Sequence, residues 1–100
     1  MGMTNIMDRG EGKSMSAAFQ ALREEARHEY GHDSYNGTIS TIGSYSDKTR
    51  AHAASGQPAE EFLESLLDED LGKGEAAGVC LREPTAEKDG LYLFVGWACE

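Results

Sequence analysis

The chain has few cysteines, no long apolar run and no surplus of basic residues, and each lack removes a class of protein. Cys80 and Cys99 are too few for a disulfide framework, and they do not form a C-x-x-C pair. Each lies in an apolar run, where a free thiol packs as a small hydrophobe. No stretch approaches the roughly 20 apolar residues of a membrane span. Residues 1–12 lack the apolar core of an export signal, so a cytoplasmic location is expected. Nine Lys and Arg stand against 18 Asp and Glu, a net charge of −9. So acidic a surface repels phosphate backbones and disfavours direct nucleic-acid binding. Phosphate-binding loops, dinucleotide fingerprints and G-x-S-x-G elbows are absent too; Gly10-Glu11-Gly12 lacks a third glycine and a preceding strand.

What is present is one domain's worth of ordinary globular sequence: 100 residues, 39% apolar and 27% charged. Residues 1–13 are polar and carry Gly2, Gly10 and Gly12, and read as a flexible N-terminal arm before a single α+β domain over 14–100. Met15, Phe19, Leu22, Ala26 and Tyr30 recur at spacings of three and four, which predicts a helix over 15–30. Ser14 or Ser16 can cap its start and Gly31 can stop it. Tyr35 to Ile42, rich in Thr and Ile, predicts a strand, with Gly37 marking a bulge or a positive φ. Residues 43–57 show no clear period and read as a long connection, within which Ala51 to Gln57 suit a helical turn.

Pro58 opens a second helix over 58–71, whose apolar face is Phe62, Leu63, Leu66, Leu67 and Leu71. Residues 76–83 and 91–99 read as a hairpin turned about residue 87, which sets Cys80 opposite Phe94. Leu91, Leu93, Val95 and Trp97 alternate with Tyr92, Phe94 and Ala98, so the last strand is apolar on both faces and belongs in the middle of a sheet. The expected architecture is α+β in the order α-β-α-β-β: a three-stranded sheet, its C-terminal strand central, with two helices packed on it. Trp97 is expected in one core with Phe19, Leu22, Phe62, Leu66, Leu93 and Val95.

Six of the acids fall in eleven residues that hold no base: Glu60, Glu61, Glu64, Asp68, Glu69 and Asp70. Helical spacing leaves the leucines for the core, so these acids point outward. They suit a basic protein surface, such as that of a nucleic-acid-binding host protein, with Tyr45 in the long connection as a neighbouring anchor. A solvated face that confers solubility is the plainer use of such a charge run.

Residues 28–32, His-Glu-Tyr-Gly-His, are a literal H-E-x-x-H and resemble the zincin metallopeptidases over those five residues. The resemblance implies His28 and His32 as zinc ligands, Glu29 as general base, and His52 or a carboxylate of 60–70 to complete the set. On the helix, however, His28 falls opposite the apolar stripe, toward solvent.

The stretch Glu25-Ala-Arg-His-Glu-Tyr-Gly-His-Asp-Ser-Tyr-Asn-Gly-Thr-Ile-Ser-Thr, with a closing Leu-Phe-Val-Gly-Trp-Ala, resembles small phage-encoded proteins. That resemblance implies a phage or mobile-element accessory factor or an inhibitor of host defence, anti-CRISPR proteins among them. Such proteins are non-enzymatic and act by protein–protein contact, without a cofactor. The expected function is therefore an acidic binding protein. The alternative is a minimal zinc-dependent hydrolase built on His28, Glu29 and His32.

Overall fold

The computed structural model describes residues 3–30, 37–69, 71–72 and 74–99. Within these ranges a four-stranded mixed sheet carries helices on both faces. The elements are β1 (Met3–Gly12), α1 (Met15–Tyr30), a 3-10 helix (Ile39–Thr41), β2 (Ser44–Asp47), α2 (Thr49–Ser55), α3 (Ala59–Glu69), β3 (Glu75–Arg82) and β4 (Gly90–Cys99). The strand order is β1-β4-β3-β2. β4 lies inside the sheet, antiparallel to both β1 and β3, and β2 joins β3 in parallel.

The chain is α+β, but the three-stranded, two-helix arrangement is overturned. The segment expected as an arm is β1, paired to β4 along ten residues from Met3↔Cys99 to Gly12↔Gly90. Its glycines admit a helix rather than loosen the chain. A Cβ on Gly12 would stand 2.8 Å from Ala18 N, and one on Gly10 would stand 2.9 Å from Leu22. The strand expected over 35–42 is also corrected: residues 37–42 hold the 3-10 helix, and 35–36 lie outside the described residues. Thr38 caps that helix through its side chain to Ser40 N, and the apolar pair Ile39 and Ile42 sits three apart, one 3-10 turn. Gly37 does take a positive φ, of 72°. Residues 43–57, expected as a connection with a helical turn over 51–57, contain β2 and, at Thr49–Ser55, α2.

The periodic stripes position the layers. Ser14 Oγ accepts from Ala17 N–H at 3.1 Å and caps α1. Met15, Ala18, Phe19 and Ala26 then pack with Tyr92, Phe94 and Ala98 on one face of the sheet. Phe62, Leu63 and Leu66 of α3 pack on Ala77, Val79, Leu93 and Val95 on the other. The single core expected around Trp97 is thus two cores, because a strand sends successive side chains to opposite faces and the sheet stands between them. Burying each large side chain contributes about 1.5–3 kcal/mol. Trp97 itself is only half-buried.

The hairpin register is corrected as well. Cys80 stands opposite Tyr92, not Phe94, because the turn centres earlier and a bulge between Cys80 and Arg82 absorbs the offset. Cys99 pairs with Met3 on the far strand, and Cys80 carries a free thiol.

Candidate functional site

α3 stands on the sheet by its leucines, so its acids face away. Glu60, Glu61, Glu64 and Asp68 are exposed. Glu61, Glu64 and Asp68 follow one another at spacings of three and four, which makes a single outward stripe. Glu60 pairs with Arg9 of β1 at 2.8 Å, both side chains more than half exposed. Such a pair contributes little to stability. Glu61, Glu64 and Asp68 make no ion pair among the described residues. Glu69 belongs to the last turn of α3, and Asp70 lies outside the described residues.

Between α3 and β1 the sheet surface is left uncovered, and a hollow of about 300 Å³ opens there. Its floor is Val95 and Trp97, its β1 wall is Asn5 and Met7, and Glu64 and Asp68 stand on its α3 rim. A second hollow, about 460 Å³, lies on the other face of β1, where Ile6 and Asp8 meet Leu22, Glu25 and Glu29 of α1. Burial, and then the nearby charge of Glu25, push the Asp8 carboxyl above its ordinary range. Carboxylates thus flank β1 on both faces. The uncharged run Met3–Met7 is the one signal in 1–13, and it does not show the hollows, which exist only once β1 is paired.

The remaining candidates are dispersed. Tyr45 turns its ring toward the α1 core, 4.7 Å from Phe19 and 5.7 Å from Phe94 between ring centroids. His28 and Glu29 are exposed at the end of α1, and His32 lies outside the described residues. His52 sits on α2, its Nε2 at 2.9 Å from Gln57 O and its ring 5.6 Å from Phe62 on the α3 side of the sheet. Among the described residues no group of three or more His, Cys, Asp and Glu is placed to hold a metal ion. No helix among them is long and apolar enough to cross a membrane. Comparison with protein-family models, with curated proteins and with solved structures finds no match, so the reading of this chain rests on its own geometry.

Proposed function

We propose that the chain is a small acidic binding protein, an inhibitor or accessory factor of phage or mobile-element type that acts in the host cytoplasm by contact with a basic protein surface. Anti-defence proteins, anti-CRISPR proteins included, are among the small phage-encoded proteins that residues 25–41 and the closing Leu-Phe-Val-Gly-Trp-Ala resemble. One observation carries the proposal: Glu61, Glu64 and Asp68 form an exposed stripe on α3 and make no ion pair among the described residues. A negative field without internal neutralisation raises the rate of encounter with a positive surface and makes that rate sensitive to salt.

The test reverses Glu61, Glu64 and Asp68 to Lys and follows association with a partner captured by cross-linking. The proposal expects association to slow sharply and to lose its salt dependence while the circular dichroism spectrum is kept. Unchanged association at every salt concentration would return the stripe to a solvated, solubilising face.

A further inference from the structure

β1 is a long edge strand whose outer side is unpaired among the described residues. Among the described residues no strand follows it in the sheet, and no turn or loop backbone hydrogen-bonds to it. The opposite edge is treated differently. β2 is only four residues long. Beyond it, Lys48 N–H donates to Gly78 O at 2.8 Å and Thr49 Oγ1 accepts from Cys80 N–H at 3.0 Å, which closes the β3 edge. Natural edge strands are shortened, covered or charged to prevent stray pairing. Met3 to Met7, Met-Thr-Asn-Ile-Met, is neither short nor charged, and Met3 and Met7 are 47% and 37% exposed.

The surroundings of this edge select its occupant. Side chains of an added strand alternate between the two faces of the sheet. On one face they would meet Glu64 and Asp68, and on the other Asp8, Glu25 and Glu29, where Arg9 is the single base of the lining and is paired to Glu60. No basic side chain among the described residues pairs with any of these five. A second copy of this chain fits poorly. Continuing the sheet through two β1 strands would bring the α3 carboxylates of one copy toward those of the other, with a net −9 on each.

We propose that the outer edge of β1 takes a strand from the partner: an extended protein segment, basic on both faces, hydrogen-bonded along Met3–Arg9 with its Lys and Arg side chains over the two acidic hollows. This rests on the reading of the chain as a binder of basic proteins, and adds where the partner sits and by what bonds. Backbone pairing supplies the affinity, and the carboxylates supply the preference for cations.

The experiment uses the full chain and a short fluorescent peptide of Lys, Thr and Val with lysines at adjacent positions. Two further peptides carry backbone N-methyl groups, one at odd and one at even positions, and a fourth has Glu for Lys. A strand pairs through one edge, and alternate residues serve that edge. One N-methylated peptide is therefore expected to lose at least about tenfold in affinity, the loss of one or two net hydrogen bonds, while the other binds like the parent. The parent peptide should also slow amide exchange within Met3–Arg9, and the Glu peptide should not bind.

Equal binding by both N-methylated peptides would overturn strand addition and leave the acidic stripe standing, since charge alone would then suffice. No binding by the parent peptide, with the α3 reversal still slowing the captured partner, would have the same meaning. Protection of Met3–Arg9 in a dimer without peptide would overturn the proposal in favour of a second copy. Glu87 is exposed on the β3–β4 turn and belongs to neither the stripe nor the two hollows. Glu87→Lys should therefore leave peptide affinity unchanged, and a loss of peptide binding in this variant would overturn the proposal in favour of net charge alone.

Discussion

The indole Nε1–H of Trp97 donates to the carbonyl oxygen of Leu67 at 2.8 Å, tying the last turns of α3 to β4. The carbonyls of a final helical turn lack partners within the helix, so this bond satisfies one of them and holds α3 at a set distance from the sheet. That distance is also the width of the hollow that Leu67 and Trp97 line. Trp97→Phe keeps most of the ring and removes the donor. It is expected to lower stability by about 0.5–1.5 kcal/mol, read from the urea midpoint at unchanged m-value, and to speed amide exchange at the end of α3. An unmoved midpoint would mean the tie contributes nothing.

Leu93 is 1% exposed at the centre of the α3-side core, between Val79 and the leucines of α3. Leu93→Ala should lose about 2–5 kcal/mol, the range for a buried leucine whose site cannot collapse. A domain of this size holds about 5–15 kcal/mol in total, so the loss is a large share of its stability. Thermal melting that matches the parent would contradict its place in this core.

Gly96 tests the closeness of β3 and β4. A Cβ there would stand 2.5 Å from Glu75 O and 3.0 Å from Ala76 Cα, and backbone atoms cannot swing aside as a side chain can. Gly96→Ala is expected to destabilise by about 1–3 kcal/mol through forced strand displacement. Gly43→Ala is the control. A Cβ there meets nothing within 4 Å. Denaturant midpoints should therefore fall for the first variant and stay near the parent for the second.

Asp8 gives a pH dependence whose sign is fixed by its environment. Burial and Glu25 raise its carboxyl in the folded chain, so folding favours the protonated form. The unfolded chain ionises first as pH rises. Stability relative to an uncharged side chain is therefore full below the ordinary carboxylate range and is lost as pH rises through the folded value. Asp8→Asn should raise the melting temperature at pH 7 and leave it close to the parent at pH 3. An equal shift at both pH values would show that ionisation of Asp8 is not the cause.

Much of the helical layer was legible in the sequence. The stripes of α1 and α3 and the alternation of Leu93 and Val95 with Tyr92 and Phe94 identify which residues are buried, because they depend only on local period. β1 was illegible for the opposite reason. Its outward residues face water and its glycines exist to admit Leu22 and Ala18, a requirement written in a helix that comes later in the chain. Residues 38–42 misled because Thr and Ile favour strands on average. Here the Thr38 side chain bonds to Ser40 N and turns the chain before any strand can pair. For the candidate site, the acidic stripe followed from helical spacing. The hollows did not, since Met7 and Trp97 meet only through pairing across the whole chain.

That pairing sets how the domain yields to tension. Met3 and Cys99 stand directly opposite one another at one end of the β1–β4 ladder. A pull applied at these two residues does not shear the two strands along their length, where all the bonds would resist together. It loads the outermost pair first, then Thr4↔Ala98, then Asn5↔Trp97, so the sheet peels like a zip, one rung at a time. A domain held in this way gives at low force from its ends, whatever its resistance to heat or urea.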